Sequence, residues 1–447
     1  MIRSAFVLFA LTSVPAYSQS IDDARIGVEL WSSALSRPAA FTFIGPGEML
    51  VVENATGEVV YIKDGLVQSI ALDVITSAEG ALGITCHPDF ASNGFVYYYH
   101  TTASTDGGGW RGSQVMRYRF DGEFMTEPFG PVFTSPYDLD QDNTNNHNGG
   151  TLRFGPDGML YGQVGDKHRG SSTNGRIELN SGTAESSRSG GIFRIHPGGE
   201  IPHDNPFIDH PNLNVRAWYC YGFRNSLGMD FDPVSGELWW SDNGPDVYDE
   251  INRGGSGMNG GWGLIAGPDA RDAVFLKNGY VARDEADLVQ LPGSFYRDPE
   301  YSVLPTPGVT GVCFLNSKRF PADLRNNLIY GEVNGQIYNF QLDQAREHLI
   351  LTAGLADGVA DDLAERDQAR FGSGLGLVTE IQMGPDGYLY LADYGGGFIR
   401  RIRPLVDVFE PLTAQAVRGN IESGAVADLE FADDATLAMR SAPDGRS

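Results

Sequence analysis

The sequence predicts an all-β protein, specifically a six-bladed β-propeller of four-stranded antiparallel blades. Glycine is abundant at 57 of 447 residues and aromatic residues reach 11%, a composition typical of many short strands joined by tight turns. No helical heptad pattern is visible. A proline-containing turn that precedes an aromatic-rich strand recurs in six units, at intervals of one blade or more. Six radial sheets of this kind make a propeller, which leaves only short sheet edges exposed.

Each of the six units places proline and aspartate, or proline alone, in a turn: proline fixes φ, aspartate bonds the backbone ahead, and glycine or asparagine takes a positive φ. Alternating apolar residues mark the flanking strands. A β-sandwich with recurrent turns is the alternative, but it gives no reason for the same turn to return at this spacing. In chain order the units are Phe43–Ile62, His87–His100, Gly155–Gly162, Phe231–Trp240, Phe320–Tyr330 and Gly384–Leu391.

The two ends of the chain depart from this pattern. Residues 1–18 carry a basic residue, an apolar run and a small-x-small site, which predicts a secretory signal peptide cleaved near Ser18. No later stretch is apolar enough to span a membrane, so we expect a periplasmic or secreted protein. The propeller is predicted over residues 19–404, and the acidic residues 405–447 are predicted to form a flexible tail.

Charge and cysteine content limit the classes of function. A net charge of −26 argues against a nucleic-acid surface, which needs Lys and Arg to displace counterions. The charge is explained either by solubility or by acidic clusters that bind a divalent cation. Cys86, Cys220 and Cys313 allow at most one disulfide, and no C-x-x-C-H motif marks a covalent haem.

Long inserts between the units are polar and glycine-rich, and in a propeller such loops crowd one face, where sites are built. One further segment, Asp357–Phe371, is consistent with a short helix. The inserts are Thr102–Gly112, Lys167–Ser189 and Gly254–Asp298.

His147 is the first candidate for chemistry, because it lies in a polar NNHNGG turn ahead of a strand and not on an apolar face. Gly149 and Gly150 would let a ligand approach the backbone closely. Asp166 ends the next strand of the apparent hairpin, so antiparallel pairing would bring it back beside His147. A carboxylate on one ring nitrogen would fix the tautomer and make the other nitrogen a better base. The alternative is that Asp166 only caps the following loop.

Arg224 and Asn225 form a second candidate cluster, in a turn between apolar segments. Arginine presents a planar fork of donors that suits carboxylates or quinone oxygens. A surface arginine that caps a turn is the alternative.

The stretch Ser241–Asn252 and the MNGGWG that follows it form the third cluster. Gly244 and Pro245 make a sharp bend, and Asp249 and Glu250 follow it. Carboxylates together with exposed carbonyls are the ligands that Ca²⁺ prefers, although the spacing is not that of an EF-hand. The alternative is an acidic turn in which Asp249 caps backbone amides.

These motifs together resemble the glucose/sorbosone dehydrogenase family. The resemblance runs from about Phe43 to Pro404 and rests on HNGG, FRN followed by GMDFDP, SDNGP with DEIN, NGGWG and the GPDG turns, in that order. It implies a soluble, secreted six-bladed propeller that uses pyrroloquinoline quinone and Ca²⁺ to oxidise an aldose sugar or a related alcohol. It also implies a separate electron acceptor, such as a c-type cytochrome, since this chain has no haem motif.

The resemblance implies a role for each candidate residue. His147 would be the general base that takes the proton of the sugar hydroxyl, and Asp166 its orienting partner. Arg224 and Asn225 would contact the quinone during hydride transfer. The carbonyls of Gly244 and Pro245 would ligate Ca²⁺, and the Asp249–Glu250 pair would lie close to this metal.

The sequence departs from the family pattern where the family grips the carboxylates of the cofactor. Asn334 stands where the family has a lysine, and Thr379 lies close to where it has arginines. The basic residues Lys318, Arg319, Arg400 and Arg401 are candidates to compensate from neighbouring loops.

Two rival functions share the same fold. One is a Ca²⁺-dependent hydrolase of the lactonase type, in which His147 would activate water. The other is a non-catalytic binding propeller that has lost the cofactor. Only the chemistry of the site can discriminate between them and the dehydrogenase.

Overall fold

The computed structural model describes residues 19–74, 76–103, 110–136, 146–167, 188–271 and 285–406. The predicted signal peptide at residues 1–18, nearly all of the predicted tail and the centres of the three long inserts lie outside these ranges. The described residues all belong to one compact unit that ends at Asp407. No helix within them is long and apolar enough to cross a membrane.

Strands dominate the described residues and helices are few. The predicted helix at 357–371 is reduced to a single turn, capped by the side chain of Asp362, and a following 3₁₀ turn. The helices are α1 (Phe90–Asn93) and α2 (Leu363–Arg366), with 3₁₀ turns at Val215–Ala217, Asp269–Arg271, Glu285–Asp287, Ala353–Leu355 and Asp367–Ala369. The strands are β1 (Ser20–Ile21), β2 (Ile26–Ser32), β3 (Pro38–Gly45), β4 (Glu48–Glu53), β5 (Glu58–Lys63), β6 (Leu66–Asp73), β7 (Thr76–Cys86), β8 (Phe95–Ala103), β9 (Trp110–Phe120), β10 (Met125–Thr126), β11 (Pro131–Pro136), β12 (Leu152–Phe154), β13 (Leu160–Val164), β14 (Gly191–Ile195), β15 (Trp218–Tyr221), β16 (Gly228–Phe231), β17 (Leu238–Asp242), β18 (Asp249–Gly254), β19 (Met258–Asn259), β20 (Phe295–Tyr296), β21 (Tyr301–Val303), β22 (Val309–Phe314), β23 (Leu328–Glu332), β24 (Ile337–Phe340), β25 (Val359–Ala360), β26 (Arg370–Ser373), β27 (Val378–Met383), β28 (Leu389–Asp393) and β29 (Phe398–Pro404).

These strands form sheets whose inner strands pair antiparallel with their neighbours. The sheet orders are β3-β4-β5-β6, β7-β8-β9-β10 with β11 also on β9, β12-β13-β14-β15-β19-β20, β16-β17-β18-β21-β25, β22-β23-β24-β26-β1 and β27-β28-β29-β2. The prediction of uniform four-stranded antiparallel sheets is therefore wrong in detail. Two of the sheets have four strands, while others gain outer strands, some of them parallel: β19 and β20 come from the insert Gly254–Asp298 and β25 from the connection between β24 and β26. Such additions cover an edge that would otherwise expose unpaired backbone groups.

The sheets are arranged as a β-propeller, and the predicted all-β class is confirmed. The first strands β3, β7, β12, β16, β22 and β27 contact one another in chain order, and β27 returns to contact β3. The two chain ends meet in one sheet, where β2 pairs antiparallel with β29 from Ile26–Pro404 to Ser32–Ile399. This pairing closes the ring without a covalent link.

The core lies between the faces of neighbouring sheets. Trp239 and Trp240 are consecutive in β17, and both are fully buried. Trp239 packs with Phe314 and Tyr330 of the sheet that follows, whereas Trp240 packs with Phe223 and other residues of the sheet that precedes. Because successive side chains of a strand point to opposite faces, each sheet buries both of its faces.

The first strands also fix where the candidate residues lie. His147 precedes β12, Arg224 precedes β16, and the Gly244 bend joins β17 to β18, so these residues gather at one end of the ring. The proline-containing turns gather at the opposite end. The three cysteines, the most exposed of which is half-buried, are all free thiols.

Candidate active site

The His147 turn is fixed by close packing against two neighbouring strands. His147 itself has φ of +55°, and Gly149 and Gly150 also have positive φ. A Cβ at Gly150 would lie 2.4 Å from Cβ of Leu82, and one at Gly149 would lie 2.5 Å from the carbonyl oxygen of Gln163. Both positions therefore require glycine, and the turn holds His147 rigidly ahead of β12.

His147 and Asp166 are brought together as the hairpin predicted. Nδ1 of His147 lies 2.7 Å from Oδ1 of Asp166, across the β12–β13 hairpin. The His147 side chain is 13% exposed and that of Asp166 only 1%. An ionised carboxylate can only accept, so Nδ1 carries the proton and the neutral ring has its lone pair on Nε2.

Trp262 completes this chain of hydrogen bonds, and the sequence reasoning did not assign it a role. Its indole Nε1 donates to Oδ2 of Asp166 at 2.8 Å. The backbone N–H of Asp166 donates to the carbonyl of Arg224 at 2.7 Å. The NGGWG motif was the available signal, because the N–H of a buried tryptophan usually has an acceptor.

Asp166 is ionised in this setting. Burial by itself would raise the pKa of its carboxyl, but the hydrogen bond and charge of His147, together with the hydrogen bond from Trp262, lower the pKa below its usual value. The carboxylate is thus available to orient His147 and to stabilise its protonated form.

Arg224 and Asn225 are held by a buried carboxylate that precedes the bend. Asp242 accepts hydrogen bonds from the backbone N–H of Arg224 at 2.9 Å and of Asn225 at 2.7 Å. The guanidinium of Arg224 donates from Nη1 to the carbonyl of Asn243 and lies 5.6 Å from the Trp262 ring centre. Trp262 thereby contacts both Asp166 and Arg224.

The bend after β17 is shaped by Asp249. Its carboxylate accepts hydrogen bonds from the backbone N–H of Gly244 at 2.9 Å and of Gly308 at 2.6 Å, and a longer one from Val309. Asp249 therefore caps backbone amides, as the alternative interpretation has it. Burial raises its pKa to about 6, and the three backbone N–H groups oppose this rise.

Glu250 also points into the protein. Its Oε1 accepts from the backbone N–H of Gly267 at 2.6 Å and its Oε2 from Asn252 at 3.0 Å. Burial, reinforced by the charge of Asp242, raises the pKa of Glu250 to about 8. The described residues contain no group of three or more His, Cys, Asp and Glu side chains arranged for a metal ion.

Carbonyl oxygens are the better candidate ligands at this bend. Those of Gly244 and Pro245 accept no hydrogen bond from any part of the chain that the structure describes. Carbonyl oxygens that accept no hydrogen bond from the described residues, in a bend that Asp249 stabilises, are suitable ligands for a hard cation. On this side, the residues fit the Ca²⁺ that the sequence resemblance implies.

The surroundings of Asn334 and Thr379, where the resemblance implies basic residues that bind the carboxylates of pyrroloquinoline quinone, fit this cofactor less well. Asn334 uses its amide within its own turn, donating to Glu332 at 2.8 Å and accepting from the backbone N–H of Gln336. Thr379 donates to the carbonyl of Pro38 at 3.0 Å. Glu332 is fully buried in the same turn as Asn334, and burial raises its pKa to about 7 although Arg366 opposes this. The buried charged groups beside Asn334 are thus Glu332 and Arg366, which lie 3.5 Å apart and neutralise each other.

The proposed compensating cations are placed elsewhere, and Lys318 is exposed in the same loop as Arg319. Arg319 stacks on Tyr388, beside the Gly384–Gly387 turn at the opposite end of the ring. Arg401 pairs with Glu29. Arg400 lies at the correct end of its sheet, but its guanidinium is buried and pairs with Asp393 at 2.8 Å. Arg224 therefore remains the cation that the site offers among the predicted residues.

Comparison with known proteins gives a consistent family. The family profile described as Glucose / Sorbosone dehydrogenase matches residues 35–400. Aldose sugar dehydrogenase YliI of Escherichia coli K12 is 27% identical over 393 residues, covering 85% of this chain and 94% of that protein. Quinoprotein glucose dehydrogenase B of Acinetobacter calcoaceticus is 30% identical over 258 residues, covering 53% of this chain and 52% of that protein.

A solved structure agrees with the sequence matches. An oxidoreductase (glucose dehydrogenase) of Thermus thermophilus superimposes with a TM-score of 0.63 at 26% identity, over 84% of this chain and 99% of that one.

Proposed function

The chain belongs to the glucose/sorbosone dehydrogenase family, and from this premise we propose that it oxidises an aldose sugar or a related alcohol. The observation that carries the proposal is the hydrogen-bonded chain from His147 through Asp166 to Trp262 at one mouth of the propeller. A neutral histidine oriented by an ionised, buried carboxylate is the arrangement that removes a proton from a hydroxyl group.

In the proposed reaction, Nε2 of His147 takes the hydroxyl proton while the adjacent carbon loses a hydride. Asp166 holds the Nδ1–H and stabilises the imidazolium that forms. When bound, pyrroloquinoline quinone with Ca²⁺ supplies the electrophilic acceptor of the two electrons. The mostly buried His147 side chain keeps the transferred proton away from bulk water.

The other predicted residues would hold that acceptor. Arg224 and Asn225 would contact the quinone oxygens, and the carbonyls of Gly244 and Pro245 would ligate Ca²⁺. Asp249 would act indirectly, by fixing the bend through its amide hydrogen bonds. Glu250 is directed away from these carbonyls, onto Gly267 and Asn252, and would support the bend from behind.

A cofactor-free binding propeller is the second candidate, and the polar turn of Asn334 favours it. The amide of Asn334 and the hydroxyl of Thr379 are both engaged within the protein, and the neighbouring buried group is Glu332. Under this candidate, the same mouth would bind a sugar without oxidising it.

One experiment separates the candidates. Purified protein is titrated with pyrroloquinoline quinone in the presence of Ca²⁺, and reduction of a dye is then measured with a panel of aldoses. The dehydrogenase proposal requires saturable cofactor binding and sugar-dependent dye reduction. Sugar binding without cofactor binding would support the binding propeller, and lactone hydrolysis without the quinone would support the hydrolase.

We further propose that each of the six sheets is one blade, with β2 and β29 closing the last.

The predicted signal peptide implies export, which N-terminal sequencing of the mature protein would test by finding a start close to Gln19. A c-type cytochrome as acceptor would be tested by its reduction in stopped-flow experiments with the reconstituted protein and sugar.

A further inference from the structure

A cavity of about 290 Å³ opens at the other end of the ring from His147. It is lined where the first strands end, whereas the candidate active site lies where they begin. Gly308 binds Asp249 at the candidate active site, and Phe314 lines the cavity. The six residues of β22 place these two positions about 20 Å apart, at ~3.3 Å per residue. The lining comes from four neighbouring sheets and comprises Arg153, Asp230, Phe231, Pro233, Cys313, Phe314, Asn316, Ile381, Gln382 and Met383.

Arg153 of β12 lies at the polar floor of this cavity and is paired with Glu380 of β27, which lies outside the lining. Nη2 of Arg153 lies 2.6 Å from Oε1 of Glu380, and their side chains are 13% and 4% exposed. Asp230 is a second carboxylate beside the guanidinium, with one oxygen on the backbone N–H of Phe231 and the other on that of Phe314. Burial raises the pKa of Asp230, and the charge of Arg153 opposes the rise.

The polar groups of the floor keep unused hydrogen-bonding capacity. Arg153 uses two of its five N–H groups, one on Glu380 and one on the carbonyl of Leu152, and the others make no hydrogen bond to the described residues. Each Asp230 oxygen accepts one backbone hydrogen bond and the Cys313 thiol also interacts with the carboxylate, which leaves a lone pair for a ligand. The side chain of Asn316 at the rim makes no hydrogen bond to the described residues. Hydrogen-bond donors and acceptors that a ligand could use therefore lie next to each other in the cavity.

The walls are apolar and include two aromatic rings, Phe231 and Phe314. This composition limits the class of ligand that the cavity can bind. An anion would meet the Asp230 carboxylate beside a guanidinium that Glu380 already neutralises, and an organic cation would meet the N–H groups of Arg153. A neutral molecule with several hydroxyls can donate to Asp230 and accept from Arg153 at once, while its C–H faces pack on the phenylalanines.

We propose that this cavity is a second binding site, for a neutral cyclic polyol such as a monosaccharide ring, separate from the site at His147. A pocket of this volume approaches the lower limit of ~300 Å³ for small-molecule sites, so one ring fits and an oligosaccharide does not. The proposal does not depend on any redox activity of the protein.

The test measures binding without cofactor and without turnover. Protein is titrated by calorimetry and by saturation-transfer NMR with D-glucose, D-galactose, D-xylose and myo-inositol, and with glycerol and ethylammonium as comparison solutes. We expect saturable binding of at least one cyclic polyol. Binding should weaken about tenfold in Asp230→Asn and in Asn316→Ala, because each loses one hydrogen-bonding group that faces the ligand.

Two controls keep the result interpretable. Asn316→Ala removes a side chain without structural hydrogen bonds, so its thermal unfolding should match the unsubstituted protein even if Asp230→Asn is less stable. His147→Ala alters only the far mouth and should leave this binding unchanged. Absence of saturable polyol binding, stronger binding of ethylammonium, or loss of binding in His147→Ala with retention in both cavity variants would overturn the proposal.

Discussion

The indole Nε1 of Trp262 donates a 2.8 Å hydrogen bond to the same buried carboxylate, Asp166, that orients His147. These residues are far apart in sequence, and each anchors a different loop at the mouth of the propeller. The contact fixes the second oxygen of Asp166, so the carboxylate cannot rotate away from the imidazole. Trp262 is thus a positioning residue for the proposed base.

Replacing Trp262 with phenylalanine should raise the pKa of Asp166, because one of the hydrogen bonds that lowers it is lost. A lowered folded-state pKa contributes stability above the unfolded value of ~3.9, and this contribution disappears as pH falls through the folded pKa. Trp262→Phe should therefore lose about 1.5–3 kcal/mol of unfolding free energy near neutral pH, and this loss should shrink as pH falls below ~3.9, as measured by denaturant titration from about pH 2.5 to 7.

Trp239→Phe is the matched control for this substitution. The indole N–H of Trp239 is buried without a hydrogen-bond partner in the described residues, so its removal costs no hydrogen bond. Equal, pH-independent losses in the two variants would contradict a special role for Trp262.

Substitution of His147 by alanine should lower sugar-dependent turnover by about 10²–10⁴-fold, the usual contribution of a general base. Cofactor affinity should change little, because His147 is proposed to act on the substrate. Dye reduction and cofactor titration measure the two quantities separately. The exposed His203 provides the control variant His203→Ala, and substantial turnover remaining in His147→Ala would remove it from the mechanism.

Gly244→Ala should abolish the stabilisation of the protein by Ca²⁺. A Cβ at this position would lie 2.1 Å from the carbonyl oxygen of Tyr248, so the bend must rearrange and the Gly244 and Pro245 carbonyls move. In the unsubstituted protein, Ca²⁺ at a hundred times its Kd should add about 2.7 kcal/mol of stability. Gly255→Ala is the control, because its Cβ meets no atom within 4 Å. A calcium-dependent rise in Tm that persists in Gly244→Ala would argue against these carbonyls as ligands.

The ion pair between Arg153 and Glu380 should behave as one unit in a double-mutant cycle. Arg153→Met leaves Glu380 buried without its partner and should cost about 3–5 kcal/mol of unfolding free energy. Adding Glu380→Gln should recover a large part of this loss, since the stranded charge is removed. Strictly additive losses would show that the two side chains are not coupled.

Local sequence patterns were sufficient to predict the class of fold and the pairing of the two residues His147 and Asp166 at the candidate site. The HNGG turn and the following hairpin predicted the contact between His147 and Asp166, because antiparallel pairing is set by the turn. The alternating apolar pattern predicted strands on both sides of the Asn54–Gly57 turn, where β4 and β5 lie. The predicted number of strands in each sheet was wrong in detail, because outer strands such as β19 and β25 have only two residues and lie in connecting segments without a strand pattern.

Contacts between distant segments could not be predicted. Nothing near Asn334 in the sequence shows that Glu332 is fully buried beside Arg366, or that Arg319 and Arg401 lie at the wrong end of their sheets. The direction of Glu250, onto Gly267 and Asn252, depends on the path of the loop after β18. These placements decide which charges a ligand meets.

The sequence by itself determined that short antiparallel sheets repeat around a ring and that a histidine and a carboxylate meet at one of its mouths. Both follow from interactions between residues close in the chain, where turn chemistry and alternation act directly. Only the tertiary structure decided that Trp262 holds Asp166, that Asp249 binds both Gly244 and Gly308, and that Arg153 of a second cavity pairs with Glu380. Each of these arrangements depends on a contact between segments distant in the chain, so its geometry is set by how the sheets assemble and not by any local pattern.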